Sequence, residues 1–290
     1  MKVDFHLHLW QHSPAPAVFD RRQVEAYCRA AEAKGIDLIA VTEHLDRFSQ
    51  VLPILQDCWA HDPNPDLRAF MNRVFTEEQG ADLDDYVSGL LKAKEAGWPV
   101  LVGIEVGWWP GKADELARIV GSYPWDIVLG SVHSLDAWMF DAYDDRAVAG
   151  EWARRGTEDA WDAYVGQIEA LAGSGLCDVL AHLDLIKITG RRPEREGAFQ
   201  ERLTRAAAVN DLAVEVSSAG WRKEVAEPYP SPELLRRLGK AGVPVTLASD
   251  AHRLDLVGDR VDELADLAVA AGVLELAVFE ARKRATAPLG

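Results

Sequence analysis

The stretch VDFHLH, residues 3–8 of the 290-residue chain, alternates apolar and polar side chains and so predicts a half-buried β-strand. Its apolar side chains share one face of this strand, while Asp4, His6 and His8 share the other. The apolar face can pack on helices while both imidazoles point to the opposite side. A strand that carries two histidines on one face predicts a functional edge of a sheet.

Six further short apolar runs resemble this strand in length and cover residues 37–42, 99–105, 126–132, 178–182, 213–218 and 244–249. Helical patterns separate the runs. The pattern over residues 21–34 stops at Gly35, and the one over residues 83–96 stops at Gly97. Ser231 and Pro232 read as the N-cap and first position of a helix that ends before Gly242. Alternating strands and helices predict an α/β fold with parallel strands.

The length suits a single domain over residues 1–290, and a barrel in particular, for which about 250 residues is typical. Two connections, residues 46–82 and 135–157, are unusually long and rich in aromatic and acidic residues. Long connections in compact domains are usually functional, so we expect these two to be insertions or lids over the site. His61, within the first of them, is expected to be a lid or surface residue.

The charge balance excludes several classes of partner. Lys and Arg total 31 against 47 Asp and Glu, a net charge of −16, which argues against a nucleic acid or an anionic membrane surface as partner. Three scattered cysteines do not form a disulfide framework. No apolar run approaches the ~20 residues of a membrane span, and the first residues lack the apolar core of a signal peptide. We therefore expect a cytoplasmic protein.

The histidines have a pattern that ordinary core packing does not explain. Six of the eight lie at or just beyond the carboxyl end of a predicted strand: His6, His8, His44, His133, His182 and His252. Glu105 and Asp250 lie at the same ends of two of these strands. The carboxyl ends of parallel strands meet at one edge, where so many polar groups without a partner would be costly. Imidazoles together with carboxylates predict a Zn, Fe or Mn site.

The motifs HLH, TEH, GIEVGWW, GSVH, AHLDL and SDAH, in this order, resemble the PHP (polymerase and histidinol phosphatase) family. The resemblance runs from residue 3 to about residue 260. The stretches GSVHSLDAW and SSAGWRKEVAEPYPSPELL look most like the histidinol-phosphatase branch. The resemblance implies a distorted (β/α)7 barrel that holds three divalent metal ions, a trinuclear centre, at its C-terminal face.

The resemblance also implies which residues bind each ion. The first ion takes His6, His8, Glu105 and Asp250. The second takes His133 and His182, with Glu105 bridging. The third takes His44, His252 and His12.

Such a centre would hydrolyse a phosphate ester by attack of a metal-bridging hydroxide, since bound metals lower the pKa of water towards ~7. No GxSxG-type nucleophile motif offers an alternative. The candidate catalytic residues are Glu105, which would bind the ions, and Asp250 or His252, which would move the proton. Asp184, two residues past His182, is a candidate for orienting a ligand imidazole.

Protein donors for the phosphate are expected as well. By resemblance, Arg222 is the first candidate, because its guanidinium matches phosphate oxygens, and Lys223 is the second. Four tryptophans lie at the predicted mouth: Trp108, Trp109, Trp138 and Trp221. They are either rim packing or, with Trp138 foremost, a flat-walled pocket for the organic half of the substrate.

The first candidate function is the hydrolysis of L-histidinol phosphate in histidine biosynthesis. The alternative is another small phosphate ester, such as a sugar phosphate or a nucleotide. Nucleic-acid processing is disfavoured by the acidic charge, and a non-catalytic metal-binding module is disfavoured by the complete ligand set. We expect a small phosphorylated substrate and two to three divalent ions, and the oligomeric state is left open.

Overall fold

A computed structural model describes residues 1–10, 19–77 and 80–289 of the chain. Its strands are β1 (Val3–Leu7), β2 (Leu38–Val41), β3 (Val100–Gly107), β4 (Ile127–Ser131), β5 (Val179–Leu180), β6 (Ala213–Ser217), β7 (Val245–Ala248), β8 (Glu275–Glu280) and β9 (Lys283–Pro288). Its helices are α1 (Arg21–Glu32), α2 (Leu52–Leu55), α3 (Pro65–Glu77), α4 (Leu83–Glu95), α5 (Ala113–Val120), α6 (Arg146–Arg155), α7 (Thr157–Ala172), α8 (Glu196–Val209), α9 (Pro232–Lys240) and α10 (Val261–Ala270).

The strands form one sheet in chain order, and each of the first seven pairs in parallel with the next. Helices follow the strands and cover the outer face, as right-handed crossover connections require. The predicted α/β fold with parallel strands is therefore confirmed, and each of the seven predicted strands is present. The antiparallel hairpin β8–β9 was not predicted.

The first and seventh strands meet along a seam that brings two of the histidine motifs together. Leu7 pairs with Ala251, and the backbone N–H of His8 donates to the Ala251 carbonyl at 2.9 Å. The buried carboxylate of Asp4 accepts the Ser249 N–H at 2.8 Å and the Ser249 hydroxyl at 2.6 Å. The end of β1 and the loop after β7 therefore lie side by side.

Capping side chains mark the starts of two helices, and of these the N-cap Ser231 was predicted whereas Asp20 was not. The Asp20 side chain accepts the Gln23 N–H at the start of α1, and the Ser231 side chain accepts the Leu234 N–H at the start of α9. The turn after α1 needs Gly35, which has a φ of +71° that other residues rarely adopt. No helix in the described part of the chain is long and apolar enough to pass through a membrane.

The unpredicted hairpin β8–β9 lies at the amino ends of the strands. The Arg282 guanidinium binds the Asp178 carboxylate at 3.0–3.1 Å, just before β5. Arg284 binds Asp211, just before β6, at 2.6 Å, and the Arg282 N–H donates to the Asp126 carbonyl, just before β4. The hairpin therefore covers the amino end of the barrel and leaves its carboxyl end, where the histidines lie, to the long connections.

Candidate metal centre

The carboxylate of Glu105, in β3, is the centre of the histidine cluster and is fully buried. Its Oε1 lies 2.9 Å from His133 Nε2 and 3.1 Å from His182 Nε2. Its Oε2 lies 2.7 Å from His44 Nδ1 and 3.2 Å from His6 Nε2. One carboxylate therefore joins imidazoles that come from four other strands or their following loops.

A second carboxylate, Asp250, faces the same cluster from the loop after β7. Its Oδ1 lies 3.7 Å from His6 Nε2, 3.4 Å from His8 Nε2 and 3.6 Å from His252 Nδ1. The His252 ring stacks on the His8 ring with centroids 4.1 Å apart. Asp250 has a left-handed backbone with a φ of +51°, a conformation that aspartate tolerates better than most residues. In this conformation its carboxylate faces His6 and His8.

Three carboxylates that the sequence analysis did not single out stand behind the imidazoles. In each pair a ring Nδ1 donates to a carboxylate oxygen: His6 to Glu215 at 2.6 Å, His8 to Glu43 at 3.1 Å and His133 to Asp141 at 2.7 Å. A carboxylate can only accept, so each Nδ1 carries the proton and each Nε2 points to the centre of the cluster. This is the arrangement in which an imidazole presents its Nε2 to a metal.

Signals for two of these three residues, Glu215 and Glu43, exist in the sequence. Glu215 is a charged residue in the middle of the apolar run AVEVS, where an unpaired carboxylate would be costly. Glu43 directly precedes His44 in the TEH motif. Asp141 follows His133 by eight residues within a long connection, and only the folded chain shows that the two meet.

The charges of the cluster support one another. Burial disfavours the imidazolium form of His6, but Glu215, Asp250 and Glu105 outweigh that effect and hold its pKa well above the usual range. In the same way, Glu105 and Asp141 outweigh burial and raise the pKa of His133. The histidines in turn hold the pKa of Glu105 well below its usual range, although burial alone would raise it. The carboxylates therefore favour the protonated forms of His6 and His133, whereas burial holds the pKa of His44 well below its usual range. A metal ion would replace the protons of His6 and His133 as the positive partner.

The donor groups fit a divalent metal. In the part of the chain that the structure describes, three sets have ligand atoms within 4.8 Å of one another: His6, His8 and Asp250; His8, His44 and His252; and His44, Glu105 and His133. The buried atoms His8 Nε2 and His182 Nδ1 find no hydrogen-bond partner among the described residues. Buried polar atoms in that condition are expected where a ligand completes the site. Imidazole and carboxylate donors suit Zn, Mn or Fe.

A cavity of about 280 Å³ opens directly above this cluster. The cavity is lined by four histidines of the cluster and by Asp250; the histidines are His44, His133, His182 and His252. The cavity also has an apolar wall that contains Phe70, Val74, Met139, Leu185 and Ile188.

Both long connections contribute to that wall. They also contact each other, since the Asp62 carboxylate accepts the Ala137 N–H at 3.3 Å and Arg73 pairs with Asp145 at 2.9 Å. The predicted insertions 46–82 and 135–157 are therefore both at the mouth of the cavity. His61 is exposed, as expected for a residue of the connection surface.

Of the nine predicted metal ligands, the structure brings eight together. The ninth, His12, lies outside the described residues. Asp184 is also at the carboxyl end of the barrel but does not contact the His182 ring: its Oδ2 accepts the Ser231 N–H at 2.8 Å and pairs with Lys187 Nζ at 3.0 Å. The orienting role expected for Asp184 is therefore performed, at other imidazoles, by the three carboxylates described above.

The predicted phosphate donors differ in their surroundings. Lys223 is exposed and lines the cavity. Arg222 is engaged elsewhere: its guanidinium binds Asp259 at 2.6 Å and the carbonyls of Ser249 and Asp250 at 2.6 and 3.2 Å. Arg222 therefore holds the loop that carries Asp250, and of the two predicted donors Lys223 is the one that lines the cavity, which Arg47, paired with Glu43 at 2.8 Å, lines as well.

The tryptophans pack rather than line the cavity. Trp138 is fully buried, and its indole N–H donates to the Val148 carbonyl at 3.0 Å. Trp109 packs on Trp59, with ring centroids 5.8 Å apart, and the Arg260 guanidinium lies 3.7 Å from the Trp221 ring. Trp138 is thus not placed for contact with the substrate, because it is fully buried and does not line the cavity. Its neighbour Met139 lines the cavity instead.

Comparison with known proteins agrees with this geometry. The model of the PHP domain family matches residues 6–219. A Deinococcus radiodurans protein named "Probable histidinol-phosphatase" is 36% identical over 172 residues, 58% of this chain and 65% of that protein, so the match spans just under two thirds of the relative.

Two solved structures share the fold. The histidinol phosphate phosphatase of Lactococcus lactis, crystallised with zinc, L-histidinol and phosphate, superposes with a TM-score of 0.65 at 19% identity over 98% of both chains. A Listeria monocytogenes protein, provisionally described as a histidinol phosphatase, gives a TM-score of 0.72 at 17% identity over 90% of this chain and 99% of that one. At such identities the two structures show a shared fold and no more.

Proposed function

The chain belongs to the PHP domain family, and we propose that it is a metal-dependent phosphomonoesterase that hydrolyses L-histidinol phosphate to L-histidinol and phosphate. The observation that carries the proposal is the cluster of imidazoles around Glu105 at the floor of a cavity of about 280 Å³. The name of the Deinococcus radiodurans relative supports the choice of substrate.

We assign the cluster to two or three divalent ions of zinc, manganese or iron. His6, His8, Glu105 and Asp250 would hold the first ion, His133 and His182 with Glu105 the second, and His44 and His252 with His12 the third. When bound, such ions supply hydroxide near neutral pH and neutralise the oxygens of a phosphoryl group.

The protein's own residues would move the proton and bind the phosphate. Asp250 and His252 both line the cavity, and their facing atoms lie 3.6 Å apart. We assign to this pair the transfer of a proton from the attacking water to the leaving alcohol oxygen. We assign the outer phosphate contact to Lys223, with Arg222 as the group that fixes the backbone on either side of Asp250.

The organic half of the substrate would lie against the apolar wall. The side chains of Phe70, Met139 and Ile188 offer an apolar surface for an imidazole ring, and the small volume favours a small ester. In this proposal the protein is a cytoplasmic enzyme of histidine biosynthesis, with a small phosphorylated substrate and no nucleic-acid partner.

Phosphate release in manganese-supplemented buffer tests the proposal. L-Histidinol phosphate is compared with sugar phosphates, nucleotides and p-nitrophenyl phosphate. We expect a kcat/KM above ~10⁴ M⁻¹s⁻¹ on histidinol phosphate, well above the other esters, and loss of activity with EDTA. Weak and even activity over the panel would retain the metal phosphatase and replace its substrate by another small ester. No phosphate release from any ester would overturn the proposal.

His6→Ala and Asp250→Ala should abolish turnover while the far-UV circular dichroism remains near native. His61→Ala is the matched control, because His61 is an exposed histidine outside the cluster.

A further inference from the structure

Tyr229 is a buried tyrosine whose hydroxyl has no hydrogen-bond partner among the described residues. The side chain is only 1% exposed, and it lines the cavity above the metal cluster. A phenol hydroxyl removed from water normally finds a partner, because leaving it without one is destabilising. An orphaned hydroxyl at a cavity wall points to a ligand that supplies the missing partner.

The ring is held firmly in place. Its edge-to-face neighbour is His182, with ring centroids 6.4 Å apart. The backbone N–H of Tyr229 donates to the Ser217 carbonyl at 3.0 Å, and the Ser217 N–H donates to the Tyr229 carbonyl at 2.6 Å. Gly220 lies directly below: a Cβ there would come within 3.1 Å of the Tyr229 Cζ, the carbon that carries the hydroxyl. The hydroxyl therefore has little freedom to seek another partner.

A buried lysine fixes the segment on the other side. Lys187 is fully buried; its ammonium donates to the Pro228 carbonyl at 2.7 Å and lies 5.3 Å from the centroid of the Tyr229 ring. Asp184 pairs with this lysine and accepts the Ser231 N–H. Burying these charges is costly, and the fold does so to anchor the segment that presents Tyr229.

We propose that the Tyr229 hydroxyl donates a hydrogen bond to a phosphoryl oxygen of the ester, and of the phosphate product, bound in this cavity. The inference rests on the proposed phosphatase function. A phenol is a donor at neutral pH, and phosphoryl oxygens are strong acceptors. Asp250, His182 and Lys223 line the same cavity, and the Tyr229 ring packs edge-to-face on His182, so Tyr229 lies beside a candidate metal ligand, where a phosphoryl group would meet the ions.

The test is Tyr229→Phe, which removes one hydroxyl and keeps the ring. Tyr123→Phe is the matched control, because the Tyr123 hydroxyl binds the exposed Asp84 far from the cavity. Inorganic phosphate binding to the metal-loaded protein is measured by calorimetry, and kcat/KM is measured for histidinol phosphate and p-nitrophenyl phosphate. We expect Tyr229→Phe to weaken phosphate binding and to lower kcat/KM on both esters by about 10- to 100-fold, with unchanged metal content.

Three outcomes would overturn the inference. Changes of less than twofold in phosphate binding and kcat/KM mean that the hydroxyl contacts nothing in the complex. A loss confined to histidinol phosphate, with phosphate and p-nitrophenyl phosphate unaffected, assigns the hydroxyl to the organic half. A loss of bound metal assigns Tyr229 to the support of His182. If the wild-type protein releases no phosphate from any ester, the proposed function fails by itself, and phosphate binding still reports on the hydroxyl.

Discussion

Glu215→Gln isolates the contribution of one carboxylate behind a candidate metal ligand. In the wild type, Glu215 Oε2 accepts the His6 Nδ1–H at 2.6 Å and Oε1 accepts the His182 N–H at 3.3 Å. Glutamine has nearly the same shape but only one accepting oxygen. Its NH₂ group must therefore face one of the two donors, whichever way the amide turns.

The size of the effect follows from that conflict. If the amide oxygen stays at His6, the hydrogen bond loses its charge and about half its strength. If the amide turns over, His6 can no longer keep its proton on Nδ1, and Nε2 is lost as a donor atom to a metal. Substitutions behind metal-bound histidines typically cost 10- to 100-fold in metal affinity, so we expect zinc to bind Glu215→Gln about 10- to 100-fold more weakly, or about 1.4–2.7 kcal/mol.

Competition with a zinc-binding dye measures that affinity, and elemental analysis after buffer exchange gives the metal content. Glu169→Gln is the control, since Glu169 undergoes the same chemical change at an Arg202 pair between α7 and α8. Circular dichroism and thermal unfolding establish that both variants are folded. The reasoning is refuted if Glu215→Gln binds zinc within twofold of the wild type and keeps its full metal content.

Three further predictions concern protons, phosphate and stability. Zinc binding to the metal-free protein at pH 7 should release protons and strengthen as pH rises, because neighbouring carboxylates, outweighing burial, raise the pKa of His6, His8 and His133. Calorimetry in buffers of different ionisation enthalpy counts the released protons, and a count of zero contradicts the assignment. Lys223→Ala should raise KM and weaken inhibition by inorganic phosphate about threefold to tenfold with little change in kcat, because an exposed cation at the cavity is lost. Steady-state kinetics measure both constants. An unchanged inhibition constant for phosphate would mean that Lys223 does not contact the phosphate. Arg282→Ala should lower the free energy of unfolding by about 1–3 kcal/mol and Tm by about 2–8 °C at unchanged kcat/KM, because it breaks the bidentate ion pair with Asp178. Unfolding is followed by calorimetry. An unchanged Tm would mean that the hairpin is held by its apolar contacts alone.

The features predicted from sequence are those with a local periodic signal. The run VDFHLH is a strand because alternation is a property of neighbours, and β1 begins at Val3 as expected. The ends of α1 and α9 follow from capping residues within a few positions of the helix. The meeting of six histidines could be predicted because parallel strands carry their carboxyl ends to one edge.

What could not be predicted depends on contacts between distant residues. The hairpin strand β9 has the charged and polar sequence KRATAP, which gives no apolar alternation, because it pairs with β8 and faces solvent. Asp141 and Tyr229 join the site through connections whose paths no local rule determines. Trp138 shows the converse error, since its nearness to His133 in sequence suggested a place at the mouth, whereas the chain turns it into the core.

The hairpin at the amino end has a consequence for how this protein can change. Concentrating imidazoles and carboxylates away from water at one end of a barrel is destabilising. Substitutions that removed these polar groups would raise the stability of the fold but would damage the site. Arg282 and Arg284 fasten the starts of β5 and β6 at the opposite end, far from that chemistry. The hairpin is thus a region where substitutions can raise the stability of the fold without lowering activity. In an evolving or engineered variant, stability gained at the hairpin can offset stability lost through changes at the cavity.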